Sequence, residues 1–567
     1  MNWSNNFMSF IKSKKIYLFI LTIILFLGFF LRFYRLSSIP SGPEWDEASI
    51  GYNAFSIAKT GFDEWGNKLP LIFPAFGDFK NPVYIYLSAL VIKFIGLSIF
   101  STRFINAFSG SLLILIWYLI AKISTKNEKI SLLTAFFLAV SPFGVFFSRI
   151  AGDGIIFSVF LMSLGIMFEL LYLERKKPVF FLASIICLLL SIFTYNLARV
   201  ISPALISLIL LLNIKISQNK RIYISVLLII SLFTLLFLKQ FGVNLKSRLQ
   251  YVGIFGDEKG SVLQIRELRE HDKNSLVSKI THNKLTVYLI TFTSNYATYF
   301  SSQFLLGFND NHLVYESHYP PLFIVMIFFF YLGIVAYIRE LFKNLDPKDR
   351  VGKILLLALL FLAPIPATIA EGVSGKRSLA LLGIMQFLSA YGLVFILNDL
   401  REQRKKLAKI IFGFLIAINL FHYLFFYFIT FPKKYNQFYA SRENNICQFI
   451  KNNYQDYDYF IYSRKIDGFA YIFPLFCLSY PPDKYQQTRS HIEKDGWFTV
   501  NSFDKFIFPD EIDTKFISDI YSKKGKNIAI FLNEDENKKA PLNIKKKRLP
   551  IPSEAHNELY LYELKVL

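Results

Sequence analysis

Charge is scarce in this sequence: of 567 residues only 18% are Asp, Glu, Lys or Arg, where soluble globular chains carry about a quarter. Cysteine is scarcer still, at three residues, with no CxxC pair and no His/Cys cluster to suggest a structural metal. No internal repeat, parallel or inverted, marks the chain as a transporter. What fills it instead is apolar: 53% hydrophobic residues, 17% aromatic, 62 of them Phe. These residues cluster into runs of roughly 15–22, the length that crosses a bilayer core of about 30 Å. The pattern excludes an ordinary cytosolic enzyme, a disordered chain and a nucleic-acid binder with a basic soluble face. It implies a polytopic α-helical membrane protein, and the net charge of +22 is read first as loop topology.

Eleven spans are expected, at roughly 16–31, 103–122, 130–148, 154–173, 178–195, 199–214, 222–239, 321–338, 353–370, 378–397 and 408–430. Lys12, Lys14 and Lys15 precede the first, and Arg32 and Arg35 follow it without a small-residue cleavage site, as in an uncleaved helix. With the N-terminus inside, the basic clusters fall on the inner side: Lys122, Lys126 and Lys129; Arg175–Lys177; Lys215, Lys220 and Arg221; Arg339, Lys343, Lys348 and Arg350; and Arg401, Arg404–Lys406. Residues 83–96 are apolar but short and contain Lys93. Counting them as a span would invert every later loop, so they read as an interfacial or re-entrant helix. Residues 178–214 would run about 55 Å as one helix, so Asn196–Arg199 is taken as an outer turn between two spans.

Two domains follow. Residues 1–430 form the membrane domain, with residues 32–102 and 240–320 as large outer loops, and residues 431–567 form a soluble extracytoplasmic domain. In that tail NNICQFIKNNY reads as helix, and YDYFIYS, NIAIFL and ELYLYEL read as strands, a small α/β domain. Cys447 and Cys477 lie there and could pair if the tail is outside, which spacing alone leaves open; Cys187 lies in an apolar run.

The first outer loop carries the most chemistry. Asp46 and Glu47 open an expected helix over roughly 46–59, where acidic residues also favour the helix dipole. Adjacent helix positions point about 100° apart, so the two carboxylates do not share one site: one can face a cavity while the other anchors locally. Lys80, before Pro82, could simply snorkel at a helix start, and Arg103 opening the second span could be interfacial. Arg149 and Asp153 share a short outer turn and could pair with each other. Arg199, Lys376 and Arg377 also sit at outer span ends, against the usual bias, which raises their functional weight.

The order of these features resembles the family 39 glycosyltransferases, the protein O-mannosyltransferase and aminoarabinose-transferase group of the GT-C superfamily, in its bacterial branch. The resemblance rests on Asp46-Glu47, Lys80-Asn81-Pro82, Arg103 and Asp153, and on YFSSQFLLGFNDNHLVYESHYPPLF, PIPATIAEGVSGKRSLA and YPPDKYQQ later in the chain. It covers residues 16–430 and, more loosely, the tail. Lys80-Asn81-Pro82 departs from the Lys-Pro-Pro of many members, and the tail does not resemble the lectin-like insert of eukaryotic mannosyltransferases.

The resemblance implies a GT-C fold and an inverting transfer of a sugar from a polyprenyl-phosphate donor to an acceptor hydroxyl at the outer face of the plasma membrane. The acceptor would be a protein, lipid or glycan. It implies Asp46 as catalytic base, with Glu47, Lys80, Arg103, Asp153 and Arg377 binding substrate, and Arg149, Arg199 and Lys376 as further candidates. No cofactor is demanded. A divalent cation could assist the leaving phosphate, but no spacing of oxygen ligands requires one. The rival of another class is a transporter or flippase for an anionic lipid-linked substrate.

Overall fold

The structure is a computed structural model describing residues 2–214, 220–241, 261–273, 275–307, 318–370, 373–435, 441–494, 497–513, 516, 526–539, 545–548 and 560–565. Parts of several expected features lie outside the described residues, among them Lys215 of an inner basic cluster, 242–260 and 274 of the second large loop, and 308–317 of the segment ahead of the eighth expected span. Glu371 and Gly372 of the PIPATIAEGVSGKRSLA motif do as well.

Helices occupy all eleven expected segments, but a count of eleven crossings is not confirmed. Seven helical stretches among the described residues are long and apolar enough to cross a membrane: Lys15–Phe33, Ile99–Thr125, Gly152–Arg175, Ile324–Leu341, Pro347–Ile369, Leu379–Asp399 and Glu402–Lys434. An eighth, Glu128–Ala139 with Pro142–Ser148, is bent by 53°. The segments expected at 178–195, 199–214 and 222–239 contain shorter apolar helices, as does the expected interfacial segment, now Pro82–Ile95.

The chain divides into two compact units. The first comprises Met1–Arg32, Phe108–Ser148 and Ile155–Tyr423. Here the bend between Glu128–Ala139 and Pro142–Ser148 frees carbonyls that no lipid could satisfy, and a buried arginine meets them. Arg32 Nη1 donates to Ala139 O and Gly28 O at 3.0 Å each, and Nη2 to Leu138 O at 3.1 Å. In the same unit Ile324–Leu341 and Ile384–Asp399 touch backbone to backbone. A Cβ on Gly333 would lie 1.9 Å from Leu388 O, and one on Gly392 2.0 Å from Phe329 O, the small-residue packing common between membrane helices.

The second unit comprises Phe33–Ala107, Arg149–Gly154 and Leu424–Leu567. Its first part holds the helix Trp45–Thr60, a hairpin of β1 (Phe73–Ala75) and β2 (Asp78–Lys80), and the helix Pro82–Ile95. Its last part is a seven-stranded mixed sheet: β3 (Tyr459–Tyr462), β4 (Ser490–Lys494), β5 (Trp497–Phe503), β6 (Phe506–Ile507), β7 (Asn527–Leu532), β8 (Lys545–Arg548) and β9 (Tyr560–Lys565). The strand order is β4-β5-β6-β3-β7-β9-β8; β3 runs parallel to β6 and β7, and the remaining pairings are antiparallel. Alternation along β3 and β7 sends Phe460, Tyr462, Ala529 and Phe531 into one core and Ile461, Ile528 and Ile530 into another. The helix and strands expected in the tail are therefore present, with the helix at Ser441–Asn453.

The first core reaches beyond the tail. Ala48, Tyr52 and Trp65 of the first loop are buried in it with Phe476, Tyr480 and Tyr485. Tyr52 donates to Tyr480 O at 3.1 Å, and a Cβ on Gly51 would lie 2.5 Å from the Phe476 ring. Cys447 and Cys477 are joined by a disulfide inside this core.

Candidate active site

The helix Trp45–Thr60 sets out the site. Glu44 leads into it in extended backbone, Asp46 and Glu47 lie in its first turn, and it ends at Gly61. The 100° between neighbouring positions sends the two carboxylates to different partners.

Glu47 goes inward. Arg103 Nε and Nη2 donate to its two carboxylate oxygens at 2.8 and 2.6 Å, a bidentate pair, and Ala151 N–H donates to Oε1 at 2.7 Å. Arg103 spends its other donors on backbone carbonyls: Leu36 at 3.0 Å, Pro40 at 2.8 Å and Ser41 at 3.4 Å. Both side chains are buried, so the pair is an internal brace of the first loop.

Asp46 goes the other way. Lys80, the last residue of β2, extends its ammonium between Asp46 and Asp153: it bonds Asp46 Oδ1 and lies 3.0 Å from Asp153 Oδ1. Lys80 is 8% exposed, whereas Asp46 and Asp153 are 26% and 23% exposed, so the carboxylates face solvent over a nearly covered cation. Burial opposes the lysine charge, but the neighbouring carboxylates of Asp153 and Asp46 outweigh it and hold the ammonium above its ordinary pKa.

Asp153 is delivered by a tight turn. Gly152, Asp153 and Gly154 all take left-handed backbone, with φ of 44°, 56° and 76°. A side chain at Gly154 would also collide with Tyr84, whose ring atoms lie 2.6 Å from its ideal Cβ. Asn106 Nδ2 clamps the turn from below, donating to Ile150 O at 2.9 Å and Ala151 O at 2.6 Å. Asn106 and Tyr84 were not singled out from the sequence. Asn106 follows Arg103 by three positions on one helix, but Arg103 turns to Glu47 and Asn106 to the turn, so no local pattern marked it.

Four candidates remain. Arg149 is buried in the second unit: Nε and Nη2 donate to Ile39 O at 3.2 and 2.9 Å, Nη2 to Arg35 O at 3.2 Å, and Nε to Tyr427 OH at 3.1 Å. Its guanidinium also lies over the Tyr427 and Phe428 rings. The described partners of Arg149 are therefore backbone carbonyls and Tyr427, and the described partner of Asp153 is Lys80. Arg199, Lys376 and Arg377 belong to the first unit, where each is half-buried. Among the described residues no group of three or more His, Cys, Asp or Glu side chains is placed to hold a metal ion.

What the arrangement can do follows from its parts. Two solvent-facing carboxylates supply proton acceptors, and a cation held charged between them supplies fixed positive potential for an anionic group.

No curated protein sequence matches this chain. Among solved structures, the apo oligosaccharyltransferase of Archaeoglobus fulgidus aligns at 14% identity and TM-score 0.49, over 81% of this chain and 64% of its own. The complex of oligosaccharyltransferase AglB from Archaeoglobus fulgidus with an inhibitory peptide and a dolichol-phosphate aligns at 13% identity and TM-score 0.45, over 73% and 55%. ArnT from Cupriavidus metallidurans bound to undecaprenyl phosphate aligns at 11% identity and TM-score 0.48, over 97% and 98%. The chain thus spans only about half to two thirds of the archaeal enzymes' length. Residues 79–237, which include Lys80, Arg103, Arg149 and Asp153, match the family model for dolichyl-phosphate-mannose-protein mannosyltransferases, the group that the ordered motifs of this chain resemble.

Proposed function

We propose that this protein is an inverting glycosyltransferase of GT-C type, moving a sugar from a polyprenyl-phosphate donor to an acceptor hydroxyl at the outer face of the plasma membrane. The observation that carries this reading is Lys80 bridging Asp46 and Asp153, the two carboxylates left open to solvent, in a chain whose residues 79–237 match a family named for transfer from a dolichyl phosphate.

In the proposed reaction Asp46 is the base. The acceptor oxygen attacks the anomeric carbon and gives its proton to the Asp46 carboxylate. The bond from that carbon to the phosphate oxygen breaks, and its electron pair leaves with the polyprenyl phosphate. Attack opposite the departing phosphate inverts the anomeric centre. Positioned proton transfer of this kind contributes about 10²–10⁴-fold. Lys80 meets the charge growing on the phosphate, with Arg377, Lys376 and Arg199 as further candidate phosphate ligands. Asp153 orients Lys80. The closed Glu47–Arg103 pair is assigned to positioning the loop and its turn, and Arg149 to holding the segment around Ile39.

The orientation is part of the proposal. Basic clusters mark the inner loops, and a disulfide between Cys447 and Cys477 suits a tail, residues 431–567, in an oxidising compartment.

The test is sugar transfer by the purified protein from a radiolabelled polyprenyl-phosphate sugar. Asp46→Asn should express and bind the lipid yet transfer nothing; unimpaired turnover would remove Asp46 from its role. Movement of the lipid-linked sugar across vesicles without covalent transfer would replace the enzyme by a transporter.

A further inference from the structure

Beside Asp46 and Lys80 stand three aromatic rings that the reaction above does not use. Trp45, the first residue of its helix, is 39% exposed. Its ring centroid lies 5.1 Å from Phe469 and 6.5 Å from Phe76, and Phe76 lies 4.2 Å from Phe469. Phe76 and Phe469 are each partly exposed, and Lys80 Nζ lies 5.9 Å from the Phe76 ring centre. The three rings come from the loop helix, the tip of the β1–β2 hairpin and the tail.

The hairpin tip adds a second, independent observation. Ala75 pairs with Asp78, so the turn has two residues, Phe76 and Gly77, with φ of 55° and 70°. Both positive values fit a type I′ turn, whose first position favours Asn, Asp or Gly. A phenylalanine there is a conformational outlier, held where its side chain crowds the backbone. Local stability would favour almost any turn residue over this one, and strain of this kind gathers at ligand sites.

We propose that Trp45, Phe76 and Phe469 form a stacking platform for a sugar ring, placing its apolar C–H face against the aromatics while its hydroxyls reach the Asp46 and Asp153 carboxylates. A sugar ring is the ligand that this pairing of surfaces fits: it presents an apolar face and a rim of donors, and these rings lie beside two carboxylate acceptors. The proposal rests on the transferase reading for which sugar binds. The ring is either that of the lipid-linked donor or that of a glycan acceptor, and kinetics separate them.

Two measurements on the full-length protein test it. The first is intrinsic tryptophan fluorescence during titration with a panel of methyl hexosides and pentosides, with sugar-free undecaprenyl phosphate as control. At least one glycoside should quench the wild type, and the quench should vanish in Trp45→Phe. A flat titration across the panel, or an equal quench in Trp45→Phe, overturns the platform. This readout needs no turnover, so it stands even if no transfer is found and the transferase reading fails.

The second is kinetic. Trp45→Ala and Phe76→Gly should each raise one KM about tenfold, the donor's or the acceptor's according to whose ring is stacked, while Trp45→Tyr stays near wild type. Phe76→Gly also suits the left-handed turn, so it should melt close to wild type. A lowered melting point with unchanged KM values would mean that Phe76 only packs, and would overturn its part in the platform.

Discussion

Glu47 holds Arg103 with both carboxylate oxygens, at 2.8 and 2.6 Å, and both side chains are almost fully buried. Removing one partner strands the other as a buried charge, which costs about 3–5 kcal/mol. Glu47→Ala and Arg103→Met should each melt well below wild type. The double variant Glu47→Ala/Arg103→Met should lose less than the sum of the two. Single variants that melt like wild type would show that the pair does not brace the loop.

Lys80 separates two carboxylates that would otherwise face each other. Lys80→Met should lower the melting temperature and the transfer rate together, because like charges then meet across the gap. Adding Asp153→Asn removes one of them and should recover part of the stability, though not the transfer. A calorimetric double-mutant cycle checks this; strict additivity would contradict the bridging role.

The turn bearing Asp153 depends on a residue without a side chain. Gly154→Ala combines positive φ with a collision against Tyr84, so it should cost about 1–3 kcal/mol in a melt. A melt unchanged from wild type would show that the turn can relax away from Tyr84.

Legibility of the sequence followed the range of the forces involved. The opposite bearings of Asp46 and Glu47 were readable, because a helix fixes neighbouring positions about 100° apart wherever it sits. So were the strands NIAIFL and ELYLYEL, whose alternation reflects a buried face. Span counting was weaker: Pro178–Ile192 and Ala198–Asn213 are apolar but short, and hydropathy cannot tell a crossing from a partial one. The partner of Arg149 was unreadable. Its neighbour Asp153 lies four positions away, yet two left-handed glycines and a left-handed Asp153 turn the chain, and Lys80 takes that carboxylate. The Asn106 clamp on the same turn is likewise tertiary and left no local pattern.

Glu64 gives a pH signature. It is fully buried, accepting from Asn53 Nδ2 at 2.9 Å and from Tyr471 OH at 3.5 Å, and burial raises its pKa from 4.5 to about 8. The folded protein therefore holds this proton more tightly than the unfolded chain. Its stability contribution is complete below pH 4.5 and is lost as pH rises towards 8. Glu64→Gln keeps a neutral amide in place and avoids that loss. Relative to wild type it should gain about 1.4 kcal/mol per pH unit across this window. Melting curves at pH 5 and pH 8 check it; a constant difference between the two proteins would contradict a neutral Glu64.

The disulfide offers a test of both stability and topology. Cys447 and Cys477 are separated by 30 residues, a loop whose closure is worth about 3–4 kcal/mol by chain entropy. Cys447→Ser/Cys477→Ser should therefore melt lower. In intact cells a membrane-impermeant maleimide should label these cysteines only after treatment with a reductant. Labelling that appears without reductant, and only once the membrane has been permeabilised, would place the pair in a reducing compartment and overturn the proposed orientation.

The packing of the first loop against the tail bears on protein engineering. Tyr52 bonds Tyr480 O, Gln486 bonds Asp63 O, and Arg489 bonds the carbonyls of Glu64 and Trp65. The C-terminal portion is therefore no detachable appendage, and a truncation at residue 430 would strip one wall from the helix that bears Asp46. Anyone grafting a foreign terminus onto this scaffold would have to transplant residues 45–80 along with it.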